Sequence, residues 1–194
     1  FVMLFEKPSL RTRLSFEIGI SKLGGKAVYL DQQSGALGGR ETVSDFAANI
    51  SCWADGIIAR VNSHSTLEQL AAGGSVPVVN ALCDLYHPCQ ALADALTLKE
   101  HFKDLSQVKI AYLGDGNNVC HSLMLVAAHL GMSITVATPL GHGPDANMVQ
   151  LAQKIASETG ANIHLAHSIS DLAQHHAVYT DTWISMGDNK DPAL

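Results

Sequence analysis

The chain has 194 residues, of which 47% are hydrophobic and 15% charged, so it can fill one large core or two small ones and is not a disordered polymer. A formal net charge of −6 sets aside proteins that grip nucleic acid through its phosphates, and no apolar run approaches the ~18–20 residues of a membrane span. The four cysteines (Cys52, Cys83, Cys89 and Cys120) form no CxxC pair, which argues against a disulfide framework, a zinc ribbon or a thioredoxin-type redox site.

In chain order, short apolar and β-branched runs predict strands over 2–5, 27–30, 56–61, 76–80, 108–113, 133–137, 162–166 and 177–180. Between them, helical patterns fall at 10–23, 41–53, 64–72, 88–102, 117–130, 145–159 and 169–175. In the fifth of these, Leu123, Val126, Ala127 and Leu130 share one face. Such alternation predicts an α/β chain with parallel sheets and helices on both faces. A boundary is expected near Lys103-Asp104-Leu105-Ser106, giving domains over 1–103 and 104–194 with about four strands each. Phe1 opens directly on an apolar run and Asp191–Leu194 read as an interruption. The chain is therefore expected to be an internal piece of a longer protein, its second domain truncated. Ligands of such sheets bind beyond the carboxyl ends of the strands, so the loops that follow strands carry the chemistry.

The first such loop reads Lys7-Pro8-Ser9-Leu10-Arg11-Thr12-Arg13. Ser9 suits a helix N-cap, with Leu14 and Glu17 in the helix beyond. A helix start offers free N–H groups and a partial positive charge. Lys7, Ser9, Arg11 and Thr12 add cations and hydroxyls, which is what a phosphate requires, and arginine can hold two of its oxygens at once. Two of the four arginines lie here. A capped surface helix with solvated cations fits the same residues, and physics alone leaves both readings open.

Arg60 ends a predicted strand, where an arginine either reaches water at the sheet edge or meets an anion. Pro88 suits the first position of a helix, so His87 and Gln90 sit three residues apart at its entrance. Each can donate to a carbonyl oxygen, and Gln90 can also accept from an amide NH₂; a structural histidine is the competing reading. Gly38-Gly39-Arg40-Glu41 reads as a glycine-rich connection, and no role is assigned to Arg40. Gly114-Asp115-Gly116-Asn117-Asn118 lacks the third glycine of GxGxxG, so dinucleotide binding is poorly supported. Its asparagines can cap a helix or bind a carboxylate. Asp181 and Ser185, four apart at a strand end, can hold an ammonium. The ten histidines show no HExxH or other tight ligand spacing, and no metal is expected.

Four of these stretches together carry a resemblance. Phe5-Glu6-Lys7-Pro8-Ser9-Leu10-Arg11-Thr12-Arg13 resembles the F-x-x-S-T-R-T-R signature of the transcarbamylases, and His87-Pro88-Cys89-Gln90 their H-P-x-Q. Gly114–Asn118 continues the match. Asp181-Thr182-Trp183-Ile184-Ser185-Met186-Gly187 is similar to the D-x-x-x-S-M-G of the ornithine-specific branch. The motifs stand in family order over nearly the whole chain. The resemblance implies two Rossmann-like doubly wound parallel-sheet domains, transcarbamylase-like, the second incomplete. The family's N-terminal helix and its cysteine-bearing H-C-L-P region have no counterpart here, and no catalytic cysteine is carried over.

By the same resemblance, Ser9, Leu10, Arg11, Thr12, Arg60, His87 and Gln90 bind carbamoyl phosphate. Thr12, Arg60 and His87 act on its carbonyl oxygen, Arg11 on the departing phosphate and Gln90 on the carbamoyl amide. Asn118, Asp181, Ser185 and Met186 bind ornithine. The implied reaction yields citrulline and phosphate, as in arginine biosynthesis, and needs no cofactor. A homotrimer or a multiple of trimers is implied, without nucleic acid or membrane, in the cytoplasm or, in a eukaryote, the mitochondrial matrix. An aspartate acceptor would want cations, and this half has only Lys109, Lys154 and Lys190. Leu10 stands where the family usually has threonine, and some relatives acting on N-acylated ornithine carry an apolar residue there. An N-acylated ornithine or another amine is therefore the alternative acceptor. A non-catalytic phosphometabolite-binding relative is the alternative class.

Overall fold

A computed structural model describes residues 1–31, 41–168 and 172–182. The chain divides by packing into two units, Phe1–Cys89 and Gln90–Leu194. The first begins β1 (Val2–Phe5), α1 (Leu10–Lys22), β2 (Val28–Leu30), α2 (Val43–Ser51), β3 (Ile57–Arg60), α3 (His64–Gly73) and β4 (Val78–Leu82). Helix α4 (Pro88–His101) starts where the units meet in sequence. Its far end, with Leu98 and Phe102, packs on the core of the second unit, which is why the division falls at its entrance. The second unit continues with β5 (Lys109–Leu113), α5 (Asn118–His129), β6 (Ser133–Ala137), α6 (Ala146–Thr159), β7 (Asn162–Ala166) and β8 (Ala177–Thr180).

Both sheets are four-stranded and parallel, ordered β2-β1-β3-β4 and β7-β6-β5-β8. Period-two alternation sorts β1 between two cores. Val2 and Leu4 join Ala47, Ile50, Leu67 and Leu70 from α2 and α3 on one face. Met3 and Phe5 join Ile58, Ala81 and the Phe16 and Ile20 side chains of α1 on the other. The first sheet is thus wound on both faces, as the continuous apolar run of β1 predicts. In the second, Ile110, Tyr112, Ile134 and Val136 pack under Cys120, Leu123, Met124 and Ala127 of α5 and Val149, Ala152 and Ala156 of α6. Each large side chain sealed there contributes roughly 1.5–3 kcal/mol. The opposite face leaves Val178, registered with Ala111, 54% exposed.

Most predicted elements stand within two residues of their expected places. The fourth strand is the main offset: predicted over 76–80, it runs Val78–Leu82. Pro77 cannot donate to the ladder, and its carbonyl instead accepts from the Ile57 N–H at 2.9 Å. The described part of the expected helix over 169–175 is a single 3₁₀ turn, Leu172–Gln174; residues 169–171 lie outside the described residues.

Candidate functional site

Each sheet reverses its winding once, and each reversal gathers predicted site residues. In the first sheet the chain goes from β1 outward to β2, then returns to lay β3 on the other side. The crevice beyond the carboxyl ends of β1 and β3 is the topological switch point, where open α/β sheets bind ligands. The loop into α1 leaves from β1, and Arg60 ends β3.

Ser9 closes that loop with extended backbone (φ −155°, ψ 107°) and caps α1, its Oγ accepting from the Thr12 N–H at 3.5 Å. The Ser9 hydroxyl donates to Thr12 Oγ1 at 2.9 Å, and Arg60 Nη1 donates to the same oxygen at 3.3 Å. Ser9, Thr12 and Arg60 are thereby brought together across 48 positions of sequence. No hydrogen bond among the described residues takes up the N–H groups of Leu10 and Arg11, as the first turn of a helix dictates. The Leu10 side chain is 72% exposed.

Arg60 is aimed by a local irregularity. The β3–β4 ladder shifts between Ala59, opposite Asn80, and Arg60, opposite Leu82. Such shifts re-aim the side chain that follows. Arg60 is half-buried, and burial lowers its pKa from the usual range. Its Nε is sealed from solvent and meets no hydrogen-bond partner among the described residues. A desolvated guanidinium with an unused donor is costly until an anion supplies the missing oxygen. The Arg60 carbonyl accepts from the Glu6 N–H at 2.8 Å, and Glu6 Oε2 accepts from the Asn62 N–H at 2.6 Å, tying the two loops together.

The two arginines of the first loop part company. Arg13 Nε donates to Glu17 at 3.0 Å and the guanidinium lies over the Tyr29 ring, 4.0 Å from its centroid. Arg11 is exposed and enters no ion pair among the described residues. Of the two, Arg11 is the one left to meet an anion at the helix start. In the full-length protein, Arg11→Ala is expected to weaken phosphate binding by about tenfold, the size of a charge-assisted bond. Arg13→Ala should leave it nearly unchanged. Isothermal titration with inorganic phosphate reads both.

His87 immediately precedes Pro88, the first residue of α4, as the sequence predicts, and is half-buried. Gln90 lies one turn further on, where its Nε2 donates to Asp94 Oδ1 at 2.9 Å. Asp94 carries no motif signal; only its i+4 spacing from Gln90 points to it.

The second sheet repeats the logic. From β5 the chain goes outward to β6 and β7, then returns to lay β8 on the other side of β5. The loop after β5 and Asp181 after β8 meet at this switch point: Asn117 Nδ2 donates to Asp181 Oδ2 at 3.2 Å. Asn117, not Asn118, caps α5, its Oδ1 accepting from the Val119 and Cys120 N–H groups at 3.0 and 3.2 Å. Asn118 is the first residue of the helix. The loop is pinned by the Tyr112 hydroxyl donating to the Asp115 carbonyl at 2.7 Å and by the Gly116 N–H donating to the His142 carbonyl at 2.8 Å. His142 Nδ1 lies 3.1 Å from Asp115 Oδ1. Ser185 and Met186, and Arg40 with Gly38 and Gly39, lie outside the described residues.

The electrostatics of the two clusters are opposite. The first centres on a desolvated cation. In the second, burial pushes the Tyr112 phenol up, with Cys120, Asp181 and Asp115 adding to it. Burial and then Asp94, with Asp181, do the same to Tyr179. A place where carboxylates oppose further negative charge suits an ammonium. Burial, with Asp115 adding, pushes the Cys120 thiol up to about 12. Among the described residues no three His, Cys, Asp or Glu side chains gather as a metal site, and no helix is long and apolar enough to cross a membrane.

Two family models match in tandem: "Aspartate/ornithine carbamoyltransferase, carbamoyl-P binding domain" over residues 1–100 and "Aspartate/ornithine carbamoyltransferase, Asp/Orn binding domain" over 106–193. The chain belongs to the aspartate/ornithine carbamoyltransferase family. It is 64% identical over 187 residues to an ornithine carbamoyltransferase of Shewanella oneidensis and 60% identical over 188 to one of Moritella abyssi. These alignments cover 96% and 97% of this chain. The chain spans 62% of the length of each of these relatives. The solved ornithine carbamoyltransferase of Pyrococcus furiosus superposes with a TM-score of 0.93 at 45% identity, over 96% of this chain and 60% of that one. Both carbamoyltransferase domains are thus represented, each with its switch-point cluster.

Proposed function

We propose that the whole protein transfers the carbamoyl group of carbamoyl phosphate to the side-chain amine of L-ornithine, giving L-citrulline and phosphate. The observation that carries this reading is the pair of switch-point clusters of opposite charge in one carbamoyltransferase chain: a cation seeking oxygens in the first, carboxylates suited to an amine in the second. Residues 1–103 would bind carbamoyl phosphate through Ser9, Leu10, Arg11, Thr12, Arg60, His87 and Gln90. Residues 104–194 would hold ornithine through Asn118, Asp181, Ser185 and Met186.

The amine nitrogen attacks the carbamoyl carbon, the carbon–oxygen bond to phosphate breaks, and one proton leaves the nitrogen. An alkylamine has a pKa near ~10.4, so the site must favour its neutral form or take up its proton. Negative charge builds on the carbonyl oxygen, where Thr12, Arg60 and His87 act as fixed donors. Arg11 and the start of α1 receive the departing phosphate. Holding both substrates in place removes much of the entropic barrier. No metal or organic cofactor enters this scheme. A homotrimer or a multiple of trimers, and a cytoplasmic setting, accord with the family and with the bacterial sources of the closely related sequences.

The test is an acceptor panel: ornithine, N-acetylornithine, putrescine and aspartate, each with carbamoyl phosphate and the full-length protein. The expected kcat/KM favours ornithine by roughly 10⁴-fold, the discrimination of a site with polar groups built for one ligand. A preference for N-acetylornithine or putrescine would remove Asp181 and Ser185 from the acceptor site. Absence of transfer to every acceptor would leave a phosphometabolite binder.

A further inference from the structure

We propose that Asp94 is a positioning residue that fixes which end of the Gln90 amide is offered to the carbamoyl group. This rests on the reading of Gln90 given under the proposed function.

Gln90 and Asp94 are four residues apart on α4, on one face of the helix. Gln90 Nε2 donates to Asp94 Oδ1 at 2.9 Å. A carboxylate can only accept, so the nitrogen of the amide must face it and the oxygen is the end left over. A carbamoyl NH₂ group has only hydrogens to give, and an acceptor is what it needs. Without Asp94 the two amide orientations are nearly equivalent, and the wrong one sets N–H against N–H.

Asp94 is itself constrained. It is half-buried, and burial opposes its ionised form; Gln90 and the Tyr179 hydroxyl favour that form, while Asp181 opposes it. Among the described residues no donor meets its Oδ2 with hydrogen-bond geometry. Tyr179 is held in turn by stacking on Tyr112 across the β5–β8 register, with ring centroids 5.9 Å apart and planes within 18°. Tyr179 lies two residues before Asp181. One carboxylate thus braces the amide assigned to the donor and contacts the strand that carries the acceptor's aspartate.

Calorimetric titration of the full-length protein with phosphonoacetamide and with inorganic phosphate separates positioning from structural support. Both probes carry the anion; only phosphonoacetamide carries the NH₂. Asp94→Ala is expected to weaken phosphonoacetamide about tenfold, the worth of one hydrogen bond, and phosphate less than twofold. Gln90→Ala should show the same selective loss, and the double variant no more than either. Parallel losses for both probes, no loss for either, or losses that multiply in the double variant would each overturn the proposal. Should Asp94→Ala not fold, Asp94→Asn replaces it. Its amide can present either end to Gln90, so the preference for phosphonoacetamide should drop about threefold; an unchanged preference overturns the proposal. Wild-type protein that binds neither probe removes the parent reading as well, whereas normal binding with an indifferent Asp94→Ala removes only this one.

Discussion

Full-length Arg60→Ala is expected to turn over about 10²–10³-fold more slowly than its parent while keeping its fold. Arg60 reaches Thr12 Oγ1 through Nη1, and its buried Nε has no partner among the described residues. Removing it deletes the donor that the proposed function assigns to the developing oxyanion and frees Thr12 from one of its anchors. Little stability should be lost in the absence of ligand, because a desolvated cation without an anion contributes little to the folded state. Thermal unfolding with and without carbamoyl phosphate checks this: Tm without ligand should barely move, and the rise on adding ligand should shrink. Arg60→Lys restores the charge but not the planar fork, so it should recover only part of the rate. A turnover within about threefold of the parent would mean that Arg60 makes no interaction specific to the transition state.

The second large effect is steric. Gly116→Ala would drive a Cβ into the Pro144 nitrogen and the Gly143 carbonyl carbon. These are backbone atoms and cannot swing aside. Either the loop over 138–145 or the start of α5 must shift, breaking the Gly116 N–H bond to the His142 carbonyl and disturbing the Asn117 cap. Overpacking of this kind costs about 1–3 kcal/mol or more. Thermal denaturation of the full-length variant should show Tm lowered by several degrees. Ornithine KM should rise, because Asn117 holds Asp181 at 3.2 Å. Carbamoyl-phosphate binding should stay close to that of the parent, since its assigned residues belong to the β1–α1 loop, the end of β3 and the entrance of α4. An unshifted Tm would contradict the tight approach of the two loops.

Gly116 is therefore explained by a neighbouring loop and not by a dinucleotide. That distinction marks where sequence reading reaches its limit. Strand–helix alternation, the Ser9 cap and the Pro88 helix start are local, set by residue type over a few positions, and the chain displays them openly. Strand order is not local. Nothing near Arg60 announces that β3 returns beside β1, yet that return brings Nη1 to Thr12. The pairing of Asn117 with Asp181 spans 64 positions and depends on β8 lying against β5. Arg13 shares a tripeptide with Arg11 and is drawn away by Tyr29, a ring on the neighbouring strand that no motif includes. Strand β4 begins two residues after its apolar run does, because Pro77 cannot donate to the ladder. Asn117 and Asn118 are chemically identical; only the backbone at the helix start decides which one caps.

The hydroxyl of Thr12 has a direction as well as a position. Such an oxygen carries two lone pairs and one hydrogen. The Ser9 hydroxyl occupies one lone pair and Arg60 Nη1 the other. The hydrogen alone is left to give, so the group stands polarised as a pure donor before any substrate arrives, and an incoming oxygen need not wait for it to rotate.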